Sequence, residues 1–231
     1  MSTAERPTTT PPSLDEDDRL TVPDELVVGF LVTHPAKIRK LKARRETSPS
    51  AHRDEMWDGV YVMSPEAGFE HQLFVGRITS VFTTIVDEMG GGHALPGINV
   101  SDRVQGWKAN YREPDVAVYL PGNPAQILKA HACGGPDFAV EILSPGDLGR
   151  RKLDFYAKVG TRELLLLDRR PWTLELYRLL EGRLKLVGTS TPEIPEALAS
   201  EVLPLSFRLV PGEGRPTLEL ARLDGQQTWR I

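Results

Sequence analysis

The chain has 231 residues, 40% hydrophobic and 26% charged, which suits one ordinary globular core with appendages. Its net charge of −4 is not that of a dedicated basic nucleic-acid binder, although a local patch can still serve one. No apolar run reaches the roughly 18 residues a membrane span needs, and the single cysteine, Cys133, excludes an internal disulfide and a cysteine-built zinc site.

Residues 1–19 are rich in Thr, Pro, Ser and Asp with little to bury, which predicts a disordered tail. That leaves 20–231 as one domain with its core over about 50–190. The opening Met-Ser-Thr-Ala-Glu-Arg-Pro has no apolar stretch of a secretion signal, so the expected location is the cytoplasm. Lys37, Arg39, Lys40, Lys42, Arg44 and Arg45 crowd into 35–46, which reads as a basic helix started by Pro35 or as a solvated arm. Residues 55–64 alternate as two strands around an Asp58-Gly59 hairpin turn.

Over 66–89, Leu73, Ile78, Val81, Phe82, Ile85 and Met89 fall on helical spacings, and Gly90-Gly91-Gly92 stops the helix. A weak strand follows over 94–100. Residues 116–120 and 138–143 are short continuous apolar runs, the pattern of buried central strands. Residues 146–159 predict a second helix ended by Gly160. Strands are expected over 163–168, 172–179 and 183–188, then a Pro-rich loop and two more near 206–210 and 217–222. Strands interleaved with two helices predict an α/β fold with a mixed sheet.

Two of the apolar strands carry an acidic residue that a buried strand does not need. Asp115 follows Pro114 at the head of one, and Glu141 sits between Val140 and Ile142 in the other. Burying an unpaired carboxylate is costly. Glu141 is therefore paired, metal-bound, or on the exposed face of an edge strand. Asp115 alone could be a turn residue. Lys152 alone reads as a solvated helix residue, but Lys152, Tyr156 and Gly160 recur at four-residue steps and share a helical face.

Asp, Glu and Lys presented this way are the parts of a Mg²⁺-dependent phosphodiesterase centre. Mg²⁺ prefers a few hard oxygen ligands, for which Asp115, Glu141 and the backbone carbonyl of Ile142 are candidates, with Mn²⁺ as a possible substitute. A lysine beside them can hold a nucleophile and offset charge that grows in the transition state.

The stretch from about 55 to 180 resembles the Uma2 family, bacterial restriction-endonuclease-like nucleases of the PD-(D/E)xK superfamily. The matching pieces are Glu55 with Asp58-Gly59, Met63-Ser64-Pro65, His71, Arg112, Pro114-Asp115, Val140-Glu141-Ile142-Leu143-Ser144-Pro145, Lys152/Tyr156/Gly160, Glu163 and Asp168. The resemblance implies a restriction-endonuclease-like core, a central mixed sheet flanked by helices with extra C-terminal strands. It also implies a Mg²⁺ site, DNA as substrate, and a possible homodimer. It places Glu55 near the metal, allows His71 to line the site, and suggests that Arg112 contacts a carboxylate or a phosphate.

The chain departs from the family in places. Leu143 stands where the superfamily's lysine usually lies two residues after the glutamate, so Lys152 takes that role. Val60 replaces a common acidic residue, and Leu164-Leu165 replaces an aromatic pair. The loop 144–147 is shorter than usual. Three functions stay open: a Mg²⁺-dependent DNA endonuclease, an inactive nuclease-fold binding protein, and a hydrolase of small phosphate esters.

Overall fold

The computed structural model describes residues 30–46, 53–64, 67–144 and 148–231. The tail expected over 1–19, the helix start expected at Glu66, and 145–147 of the short loop lie outside the described residues.

β1 (Phe30–Val32) leads into α1 (Pro35–Glu46), so the basic segment is helical and not an arm. β2 (Glu55–Trp57) and β3 (Val60–Met63) form the predicted hairpin. Asp58 and Gly59 take φ of 46° and 86°, the left-handed pair a two-residue turn between twisted strands favours. α2 (Phe69–Glu88) follows, with Phe74, Ile78, Val81, Phe82 and Ile85 buried along one face. Met89 lies beyond the helix and is exposed.

The strand expected over 94–100 is two strands in two different sheets. β4 (His93–Pro96) and β5 (Val100–Ser101) part at Gly97, whose φ of 68° no strand interior adopts. Its N–H is taken by the Asp115 carbonyl at 3.1 Å, which extends the pairing of β4 by one residue before the chain turns away.

After a tight turn at Trp107–Ala109 come β6 (Tyr111–Arg112), β7 (Val116–Tyr119), β8 (Gln126–Ile127), β9 (Ala132–Cys133) and β10 (Phe138–Leu143). The second predicted helix is shorter than expected: a 3₁₀ turn over Gly149–Lys152 runs into α3 (Leu153–Lys158), and Gly160 ends it with φ of 84°. The tighter first turn has a tertiary cause. Arg150 is drawn outward to Asp168 at 2.8 Å and Glu175 at 2.9 Å, while Lys152 is drawn inward to carboxylates. The remaining strands are β11 (Glu163–Arg169), β12 (Trp172–Leu180), β13 (Arg183–Ser190), β14 (Leu198–Ala199), β15 (Leu205–Val210), β16 (Thr217–Arg222) and β17 (Thr228–Arg230).

The central sheet has the order β13-β12-β11-β10-β7-β4, with β10 and β11 parallel and joined through α3, and every other pair antiparallel. This is the predicted mixed sheet. A second sheet, β1-β3-β2-β6-β5-β9-β8, carries the hairpin, and a third, β14-β15-β16-β17, uses the C-terminal strands.

Val140 and Ile142 face one side of the central sheet, toward α2 and the third sheet, in a cluster with Phe82, Phe138 and Phe207. Ala139 and Leu143 face the other, with Phe155 and Tyr156 of α3. Each large apolar side chain fully buried here contributes roughly 1.5–3 kcal/mol relative to exposure. Among the described residues no helix is long and apolar enough to cross a membrane.

Candidate active site

Period-2 alternation puts Glu141 on the α3 side of the central sheet, with Ala139 and Leu143. β7 pairs antiparallel with β10, Val116 opposite Val140. One step further along that register, Asp115 comes opposite Glu141, so the two acids sit side by side where β7 begins. The next step brings Pro114 opposite Ile142. Proline has no N–H to give the Ile142 carbonyl, and the Ile142 N–H is taken by Asp115 Oδ2 at 2.8 Å. In an extended strand the N–H and C=O of one residue point to the same side, so the Ile142 carbonyl also faces this strand mouth.

Lys152 arrives from the 3₁₀ turn. Its Nζ donates to both Glu141 oxygens, at 3.0 and 2.9 Å, and lies 2.8 Å from Glu55 Oε1. It is 8% exposed, far from a solvated helix residue. Tyr156, one helical turn on, donates its hydroxyl to Glu141 Oε1 at 2.5 Å. Glu55 reaches the cluster from β2, where it is also held by the indole of Trp57 at 2.6 Å and the Glu113 N–H at 2.8 Å.

Asp115 is fixed from two directions. His71, on the buried face of α2, sets Nε2 3.2 Å from Oδ2, and Arg53 donates to Oδ1 at 3.1 Å. Arg53 also lies 3.6 Å from Glu113. A side chain at Gly97 would press against the Glu113 carboxylate and the Arg53 guanidinium, which is why the sheet-switching glycine borders this site.

Arg112 takes a different place from the other predicted residues. It is buried, donates to the Met56 carbonyl at 3.0 Å and to Asn110 Oδ1 at 3.1 Å, and is stacked between the rings of Trp57 at 4.4 Å and Phe155 at 4.3 Å. It clamps the hairpin that carries Glu55 to the helix that carries Tyr156. Glu163 and Asp168 lie outside the cluster. Glu163 accepts from Arg178 at 2.8 Å and from the Ser200 hydroxyl, tying the central sheet to the third. Asp168 accepts the Arg170 N–H at 2.9 Å and pairs with Arg150.

Arg53 and Glu113 are not legible as site residues in the sequence: each sits among other charged residues in a short polar segment with no periodic signal. Tyr156 is legible as sharing a face with Lys152, but not as a bond donor to Glu141.

The electrostatics follow from burial. Burial pushes the Glu141 carboxyl well above the ordinary carboxylate range; Lys152 and Tyr156 oppose this, and the charges of Asp115 and Glu55 add to it. Burial acts on Asp115 in the same sense but is outweighed by His71, the Ile142 amide and Lys152, so its carboxyl is held below the ordinary value. Burial also raises Glu113, against Arg53.

Among the described residues, no three His, Cys, Asp or Glu side chains form a ready-made metal cage. A Mg²⁺ ion does not require one, since it commonly takes one or two carboxylates and keeps several waters. Glu141 and Glu55 share one ammonium, Asp115 stands beside Glu141 on the neighbouring strand, and burial pushes Glu141 toward its neutral form. Two carboxylates and a backbone carbonyl at one strand mouth are the hard oxygen donors that suit a divalent cation.

The family model for Uma2, described as "Putative restriction endonuclease", matches residues 40–211. The chain belongs to the Uma2 family. No curated protein matches it. Among solved structures it is similar to "a putative nuclease belonging to DUF820" from Anabaena variabilis ATCC 29413, at 18% identity and a TM-score of 0.51, over 68% of this chain and 88% of that one. That likeness shows a shared fold, the mixed α/β core that the strand pattern predicts. Family membership points to a nuclease.

Proposed function

We propose that this Uma2 protein is a metal-dependent endodeoxyribonuclease that hydrolyses phosphodiester bonds at the mouth of β7 and β10. The observation that carries the reading is Lys152 bonded to both Glu141 and Glu55 beside Asp115 at the head of the neighbouring strand. Asp115, Glu141 and the Ile142 carbonyl would hold Mg²⁺, or Mn²⁺ in its place. The bound ion would supply a Lewis acid for the phosphoryl oxygens and a water of lowered pKa.

The chain's own residues do the rest. The Lys152 ammonium, held between Glu141 and Glu55, would supply fixed positive charge to offset the negative charge that grows on the phosphoryl oxygens. Tyr156 holds the Glu141 carboxylate in one rotamer, and His71 and Arg53 do so for Asp115. Glu55 orients Lys152. Arg112, within the stacked rings, positions these elements and does not reach outward to a phosphate.

The deciding assay offers plasmid, single-stranded and branched DNA with Mg²⁺ or Mn²⁺ to the wild type, Glu141→Gln and Lys152→Ala. Cleavage by the wild type that both variants lose is the expected result. No cleavage with either metal would make the chain a nuclease-fold binding protein. Hydrolysis of a nucleotide ester with intact plasmid would make it a small-ester hydrolase.

A further inference from the structure

α1 is a helix built to face two ways. Ile38, Leu41, Lys42 and Arg45 recur at the spacing of one helical face and are the half-buried positions of the inner stripe. Arg45 grips Asp54 through two bonds of 2.6 and 2.7 Å and donates to the Ser64 carbonyl at 2.6 Å. The Lys42 ammonium lies 5.4 Å from the Tyr61 ring centre, and the Tyr61 hydroxyl donates to Asp54 at 2.5 Å. Asp54 in turn stands between Arg53, which holds Asp115, and Glu55, which holds Lys152. The helix is thus docked on the strand that feeds the candidate active site.

The other faces of α1 carry Lys37, Arg39 and Lys40, all exposed. Among the described residues no carboxylate pairs with any of them. Lys37 with Lys40, and Arg39 with Lys42, are like charges three residues apart, which repel on a helix surface. Lys37 also sits near the helix N-terminus, where the macrodipole disfavours a cation. Local stability does not explain such a helix in a chain whose net charge is −4. Such a cluster of exposed cations is complementary to a polyanion.

We propose that α1 is a phosphate-backbone-binding element, with Lys37, Arg39 and Lys40 gripping a nucleic-acid duplex alongside the site that Arg53 and Glu55 help to build. This rests on the nuclease reading for its partner class, but it concerns binding and is tested without cleavage. Interactions of this kind position a duplex without reading its sequence.

The test is fluorescence anisotropy of a short labelled duplex with the full chain in EDTA, across a salt series. Lys37→Ser/Arg39→Ser/Lys40→Ser should bind roughly 10²-fold more weakly at 0.1 M salt, with a log–log salt slope shallower by about 0.9 for each phosphate that is no longer neutralised. Its thermal midpoint should match the wild type. The control Arg183→Ser/Lys185→Ser, exposed on β13, should leave both slope and affinity unchanged. Equal slopes for the α1 variant and the wild type would overturn the proposal, as would a wild type that binds vesicles of anionic phospholipid but no duplex. If the wild type cuts DNA while the α1 variant binds like it, only this proposal falls. If the wild type cuts nothing and the slope still changes, the nuclease reading falls and α1 stands.

Discussion

Lys152 Nζ lies 2.9 Å from Glu141 Oε2, and neither side chain is more than a tenth exposed. A lysine that begins a short surface helix thereby becomes the counter-ion of a central strand. The pair ties the one parallel connection of the sheet, β10 through α3 to β11, to its own acidic residue. Glu55 shares the same ammonium, so the hairpin, the sheet and the helix meet on one nitrogen.

Removing that nitrogen should cost both turnover and stability. Lys152→Ala is expected to lower cleavage by roughly 10²-fold or more, since it deletes positive charge needed in the transition state. It also leaves Glu141 and Glu55 buried without their cation, a change that costs about 3–5 kcal/mol when one partner of a buried pair is removed. Urea unfolding in EDTA measures this cost. A loss under about 0.5 kcal/mol, the range of an ordinary surface change, would contradict the burial described above.

Glu141→Gln should abolish Mn²⁺ binding by calorimetry, because it removes the charge and keeps the shape. Equal binding by both proteins would move the metal elsewhere.

The same variant has a pH signature without metal. The folded-state pKa of Glu141 is raised, so as pH falls the folded protein takes up this proton before the unfolded chain does. The group therefore favours the folded state below the ordinary carboxylate range, and that benefit is lost as pH rises toward the raised value. Relative to wild type, Glu141→Gln should gain stability as pH increases across that window, read from thermal midpoints in EDTA. A difference independent of pH would show that Glu141 ionises normally.

Arg112→Ala should destabilise by about 3 kcal/mol or more, from the loss of charge-assisted bonds to Met56 and Asn110 and of two ring stacks. Arg112→Lys should recover less than half, because an ammonium cannot lie flat between Trp57 and Phe155. Chemical unfolding of both variants checks this. Full recovery by lysine would assign Arg112 a purely coulombic role.

Gly97→Ala places a side chain at a φ of 68° and against Glu113 and Arg53. The left-handed conformation alone costs about 1–2 kcal/mol for a residue with a Cβ. Because Arg53 holds Asp115, metal affinity should fall as well. A stable variant with unchanged Mn²⁺ affinity would separate this turn from the site.

The sequence by itself determined the parts with strong local signals. The continuous apolar runs at 116–120 and 138–143 supplied central strands, Asp58-Gly59 became a left-handed hairpin turn, and the periodic face of α2 packed on the sheet. The two acids, the lysine and the two further candidates Glu55 and His71 could be named because carboxylates are out of place in buried strands and because their order resembles the Uma2 pattern. Only the tertiary structure decided what joins them. The change of sheet at Gly97 goes with a left-handed φ and a close approach to a Glu113 carboxylate that arrives later in the chain. Within the 3₁₀ turn before α3, Arg150 and Lys152 are taken in opposite directions by ion pairs to strands distant in sequence. Arg112 reads in the sequence as a contact to a carboxylate or a phosphate, since only its charge is visible there, while the two rings that enclose it come from distant segments. Periodicity records which face of an element is buried, but an ion pair or a ring stack forms between side chains far apart in sequence, and only the folded chain brings them within reach.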